Sequence, residues 1–189
     1  GPIHSACVSI KGLRDTQEDS HMIVTPYDKV TPIEEIIEEA NELGDFQLPS
    51  FLNKNSKPNP NGIFAWGIFD GHKTSDVSNY LATNVPKYLQ YLPNLHNENI
   101  QQDIIELCEY LDDCIIKHID GGSTAIVVLG QYFNTITNEV ISYHNIPHDY
   151  SIITSPHIKM NLLGINIGDS QSFLFPIKRI IENDQNFSK

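Results

Sequence analysis

The fold turns on the stretch GIFAWGIFDGH, residues 62–72. Residues 63–69 carry no charge, and the run stops at Asp70-Gly71-His72. A continuous apolar run of this length, rich in Ile, Phe and Trp, predicts a strand buried on both faces. A carboxylate at the end of such a strand sits on a rigid element and faces the cleft on which the strand opens. Gly71 lets the backbone come close to a ligand, so its carbonyl is a candidate ligand as well. His72 adds a group that titrates near neutrality. The three residues together suit a hard cation and proton transfer. They equally suit a turn that ends a core strand, since Asp-Gly is a common turn pair.

The chain has 189 residues, enough for one domain with its own core. Gly1-Pro2 resembles a protease-cleavage scar, so the domain is taken as residues 3–189. A net charge of -12 argues against a general nucleic-acid binder, which needs a basic face. No apolar run reaches transmembrane length and no signal peptide is visible, so no membrane association is expected. Cys7, Cys108 and Cys114 lack metal-ligand spacing and read as buried free thiols of a reducing compartment, cytoplasmic or nuclear.

On either side of the central run, residues 5–10 and 21–25 read as strands, the second ended by Pro26. Residues 26–61 read as an insertion. Within it Ile33, Ile36, Ile37 and Ala40 have helical spacing, with Gly44 just past the end and the glutamates on a solvated face. Residues 50–61 are polar and broken by Pro, hence a loop. Two helices come after the central run. The first, 74–91, has Val77, Leu81, Val85, Tyr88 and Leu89 on one stripe, and Pro86 is expected to kink or end it. The second, 99–119, presents Ile104, Ile105, Leu107, Cys108, Leu111, Ile115 and Ile116. Strands are expected over 125–129, 139–143, 162–167 and 172–175, with 131–160 as a second insertion. His144, His148 and His157 in it read as surface residues rather than a metal site.

Four features carry chemistry. Arg14 precedes the acid pair Glu18-Asp19. Asp70-Gly71-His72 ends the buried run. Gly122-Ser123-Thr124-Ala125 opens another strand, and Asp169 ends a further one. Carboxylates at several strand ends suit oxygen-seeking ions such as Mg²⁺ or Mn²⁺. An arginine beside them suits a phosphate held by a planar fork.

With these four in this order, the chain resembles the metal-dependent protein phosphatase family, type 2C. The motifs are Arg14-Asp-Thr-Gln-Glu18-Asp19, Phe69-Asp70-Gly71-His72, Gly122-Ser123-Thr124-Ala125 and Asn166-Ile-Gly168-Asp169-Ser170, spread over residues 5–175. The resemblance implies an α+β fold of two packed antiparallel β-sheets flanked by helix pairs. It implies hydrolysis of phosphoserine and phosphothreonine in protein substrates by a water that two Mg²⁺ or Mn²⁺ ions activate. Asp70 would bridge the two metals, with the Gly71 carbonyl on one of them. Glu18 and Asp19 would bind metal directly or through water, Asp169 would hold a further, weaker ion, Arg14 the substrate phosphate, and His72 would protonate the leaving oxygen.

The departures are specific. Lys73-Thr74 stand where the family has Gly and a small residue, and Gln171 where it has Arg. No later Asp-Gly or Asp-Asn pair comes after Asp169. The expectation is therefore the N-terminal part of a phosphatase, inactive as this chain alone, with incomplete sheet edges that invite self-association. The alternative is the same fold used as an interaction module without activity. Gly168-Asp169-Ser170 does not make a serine hydrolase, as no Gly-x-Ser-x-Gly elbow occurs. A phosphate loop of the Gly-Lys-Ser/Thr kind is absent as well.

Overall fold

Asp19 to Val24 alternate exposed and buried side chains, the mark of a strand with one face on a core. The computed structural model describes residues 7, 9, 13, 15–44, 47–142, 156–169, 171 and 172. In chain order the elements are β1 (Asp19–Val24), α1 (Ile33–Leu43), β2 (Phe64–His72), α2 (Asp76–Leu89), α3 (Ile100–His118), β3 (Gly122–Ser123), β4 (Ala125–Asn134), β5 (Glu139–Val140) and β6 (Ile158–Ile167). The fold class is α+β: one antiparallel sheet in the order β1-β2-β4-β6, with β3 on the end of β2 and β5 beside β4. The second sheet of the expected sandwich is not formed by the described residues. The strands expected over 5–10 and 172–175 fall almost wholly outside them.

The central run is a strand, but it is not buried on both faces. Ala65, Gly67, Phe69 and Gly71 are buried, whereas Ile68, Asp70 and His72 are exposed. The reason is the layering: α2 packs on one face of β1 and β2, and among the described elements no helix covers the other. Nor does the strand stop before Asp70; it runs through His72, because β1 and β3 still pair with it there.

All five stripe residues of α2 are buried. Pro86 lies inside the helix without ending it, close enough to the C-terminus that only one late hydrogen bond is forgone. On α3, Ile104, Leu107, Leu111, Cys114 and Ile115 are buried, but Ile105 and Ile116 are exposed, so the apolar face is narrower than the sequence suggests. Cys7 is exposed, against expectation, while burial pushes the thiols of Cys108 and Cys114 up from their ordinary range. Between α2, α3 and the sheet lies a cavity of about 480 Å³, with Leu81, Leu107, Val127, Ile165, His72 and Ser123 in its wall.

The expected insertions are built into the core. From the first, Ile33, Ile36, Ala40 and Leu52 are buried in the main cluster. Lys87 on α2 binds both carboxylate oxygens of Glu39 at 2.7 Å, so one of the supposedly solvated acids is a tether. Tyr91 donates to the Thr31 carbonyl at 2.7 Å. The second is shorter than expected, because Gln131 to Asn134 continue β4 and pair with residues 158–161. His144 and His148 lie outside the described residues; His157 is exposed. No helix among the described residues is long and apolar enough to cross a membrane.

Gln131, 2% exposed, is the polar residue that locks this core. Its Oε1 accepts from the Leu95 amide, and its Nε2 donates to the Gly62 carbonyl and to Asn94 Oδ1, each at 3.0 Å. One side chain thus joins β4, the start of β2 and the loop before α3. Gln131→Leu takes that partner from the Leu95 amide and the Gly62 carbonyl, while Asn94 Oδ1 keeps its bond from Asn61 at 3.2 Å; each group left unpaired costs about 1–3 kcal/mol. Urea denaturation is expected to show a loss of roughly 2 kcal/mol or more.

Candidate functional site

The antiparallel order brings the start of β1, the end of β2, the start of β4 and the end of β6 to one end of the sheet. Asp19, Asp70, His72 and Asp169 lie there, all exposed. Asp19 is directly opposite Asp70. Facing residues of an antiparallel pair share a sheet face, with Cβ atoms about 4.5–5.5 Å apart. His72, two residues after Asp70, ends the strand and lines the cavity between α2, α3 and the sheet. Two carboxylates are therefore gathered on the face that no helix covers among the described residues, with the imidazole at the same end of the sheet.

Glu18 stands differently from Asp19. It precedes the first residue of β1, and its carbonyl accepts from the Gly71 amide at 3.2 Å and from Ser78 Oγ of α2. Its carboxylate accepts from the Thr16 hydroxyl at 3.0 Å, while Gln17 Nε2 donates to Asp19 at 3.2 Å. One residue further into β1, Ser20 Oγ donates to Asn79 Oδ1 at 2.6 Å. Helix α2 thus grips the acid pair from behind through Ser78 and Asn79. The sequence offered one sign of this: Ser78 interrupts the apolar stripe beside Val77, yet it is fully buried.

Gly71 has another reason to be glycine than the approach of a ligand. A Cβ there would lie 2.4 Å from the Glu18 carbonyl oxygen and 3.0 Å from Ser78 Oγ. The missing side chain makes room for the neighbouring backbone. Asp169 reaches the site less directly. Gly168, at φ 92°, packs against Thr124, whose amide donates to the Asp70 carbonyl at 2.9 Å. With β4 between β2 and β6, Asp169 is two strand spacings from Asp70, roughly 10 Å. Arg14 lies outside the described residues. Lys73 adopts φ 71° and its Nζ donates to Asp120 Oδ1 at 3.0 Å; the hydrogen bond and the charge hold the Asp120 carboxyl below its ordinary range.

Asp19 and Asp70 provide the oxygen chemistry that a divalent hard cation requires. Among the described residues, no group of three or more His, Cys, Asp or Glu side chains is close enough to hold a metal ion. For the pair to hold an ion, main-chain oxygens and water would have to supply the rest of the ligand set.

Neither a comparison with protein-family models nor one with curated proteins gives a match. Among solved structures, the crystal structure of a phosphatase from Toxoplasma gondii is similar at a TM-score of 0.31 and 19% identity. The match covers 55% of this chain and 30% of that one. A likeness of that degree carries no argument about fold or activity.

The packing at Gly71 is checked by a paired substitution. Gly71→Ala drives a Cβ into main chain that cannot move aside, and is expected to cost roughly 2–4 kcal/mol. Gly164→Ala, on β6, meets nothing within 4 Å and is expected to stay within about 0.5 kcal/mol of wild type. Chemical denaturation of both variants makes the comparison.

Proposed function

We propose that this chain carries the first part of a metal-dependent Ser/Thr protein phosphatase of the type 2C kind, with phosphoproteins as substrates. The observation that carries the reading is the register of Asp19 against Asp70 on an exposed sheet face, with His72 two residues further along β2. Like charges directly opposite one another destabilise a strand pair. A divalent cation between them turns that repulsion into attraction. The finer fold, two packed sheets with helix pairs outside, is proposed with it. In its support, the face with Ile23, Trp66, Ile68 and Val128 carries apolar side chains and, among the described residues, no helix.

Mg²⁺ or Mn²⁺, when bound, supplies charge neutralisation at the phosphoryl oxygens and a water acidic enough to attack phosphorus. Asp70 and Asp19 are the residues assigned to hold the ions, with the Gly71 carbonyl and Glu18 beside them and Asp169 set apart for a weaker one. Arg14 is assigned the phosphate, which its planar fork fits. His72 stands on the exposed end of a rigid strand and gives a proton to the departing serine or threonine oxygen.

A second reading, an interaction module without activity, draws on two observations. No third carboxylate joins Asp19 and Asp70 among the described residues, and Lys73 places a cation next to His72. Both readings are separated by experiment. Titration calorimetry with Mn²⁺ is expected to show binding by the wild type that Asp70→Asn removes. Saturation at a hundredfold over Kd should stabilise the wild type by about 2.7 kcal/mol in a thermal melt and leave the variant unmoved. Equal affinity in the two proteins would sink the assignment of Asp70. Hydrolysis of a phosphothreonine peptide in millimolar Mn²⁺, by this chain or a longer form carrying it, favours the enzyme; binding without turnover in either favours the module.

Arg14→Ala is expected to lower kcat/KM for the phosphopeptide by about 10²-fold, equivalent to about 2.7 kcal/mol of transition-state binding. The melting temperature should hardly change. A large drop in melting temperature with normal kinetics would make Arg14 structural.

A further inference from the structure

We propose that the turn over residues 120–123 is the positioning element of His72: Gly122 seats the imidazole, Gly121 admits the His72 carbonyl, and Asp120 clamps Lys73. The inference rests on the reading of His72 as the proton donor.

Gly122 is the register partner of His72 across β2 and β3. A Cβ on Gly122 would fall 2.2 Å from His72 Cε1 and 2.3 Å from Nε2. The ring therefore lies across the glycine, in the volume that any other residue would fill. Gly121, at φ 114°, has the His72 carbonyl oxygen 2.9 Å from where its own Cβ would be. Both glycines are spaces shaped to His72, one to the ring and one to the main chain.

Asp120 secures the bend on the C-terminal side of His72. Lys73 occupies the left-handed region at φ 71°, which a side chain with Cβ does not prefer. Its ammonium is held by Asp120 Oδ1 at 3.0 Å, and Thr74 Oγ1 donates to the Asp120 carbonyl at 3.4 Å. Thr74 in turn accepts the Asp76 amide at 3.2 Å, at the start of α2. The residues before and after the bend at Lys73 are therefore tied to one short turn. An exposed ion pair stabilises a fold little, and both partners here are largely exposed. What the pair does is select one path for the chain leaving His72. The ring itself lines the cavity between α2, α3 and the sheet, which offers it somewhere to go when that path is lost.

The test uses the 189-residue chain with its histidine Cε1 positions labelled for NMR. In the wild type, a nuclear Overhauser effect is expected between His72 Hε1 and the Gly122 Hα protons. Gly122→Ala should abolish it and shift the His72 cross-peak while the other histidines stay in place. Asp120→Asn and Lys73→Ala, both at exposed positions where folding is not at stake, should shift the same peak in part, and Lys73→Arg should restore it. A His72 peak at the wild-type position in Asp120→Asn and Lys73→Ala overturns the clamp, and an unmoved peak in folded Gly122→Ala overturns the seat. Mn²⁺ titration of the same samples keeps the two levels apart. A wild type that binds no Mn²⁺ counts against the phosphatase reading and leaves the His72 result standing. Mn²⁺ bound alongside an unmoved His72 counts against the positioning turn alone.

Discussion

The contact of Gly71 with the Glu18 main chain is the constraint on which the site depends. The Gly71 amide and the Ser78 hydroxyl both donate to one carbonyl oxygen, and no side chain fits between them. That three-way junction joins β1, β2 and α2 at a single point. It also fixes the strand register, because a slip of one residue would send every side chain of β1 to the opposite face. Met22 and Val24 would leave the core, and Asp19 would leave Asp70. Core and candidate site are thus set by the same register, so the packing energy of β1 holds two like charges face to face.

The rest of the site is a consequence of antiparallel geometry. Alternate strands begin and end at the same edge, so residues far apart in sequence collect there without a long loop to carry them. Thr124 bonds to the Asp70 carbonyl and packs on Gly168, which links three strands in a row. Groups mounted on strand ends move less than groups on loops, which suits a site that must keep charges at fixed spacing. The bend at Lys73 departs from this rule, and there the structure adds an ion pair and two glycines.

Much of this was legible in the residues. The central strand comes from its unbroken apolar run, and the three helices and the buried stripe of α2 from periodicity, since helical spacing of apolar residues reports which face meets the core. The motif order also placed Asp70, His72, Glu18, Asp19 and Asp169, and the structure brings these to one end of one sheet. What the sequence hid depends on pairing between distant segments. The exposure of Ile68 could not be read, because an apolar run looks the same whether one face or two are covered. Ile105 and Ile116 misled for a related reason: helical spacing defines a stripe but not its width. The length of β4 and β6 was missed because Gln131 and the Asn residues near it are polar, and only their pairing makes them strand. Gln131 itself reads as a surface residue until its three partners are seen.

Asp19 and Asp70 set two carboxylates opposite each other across a strand pair. A cross-strand pair normally sets opposite charges or apolar groups against each other, and this chain, at a net charge of -12, has no surplus of bases to soften the repulsion. Around that pair the local rules are kept: apolar residues fill the face behind it, Ser78 and Asn79 satisfy the strand entering it, and Gly71 relieves the crowding. The like-charge pair at this rim is the local departure from those rules that the proposed function would explain. An acidic surface also raises the local concentration of cations before any is bound. The charge that reads in composition as a mere surplus of acids is, at this rim, concentrated on two strands held in register by a glycine.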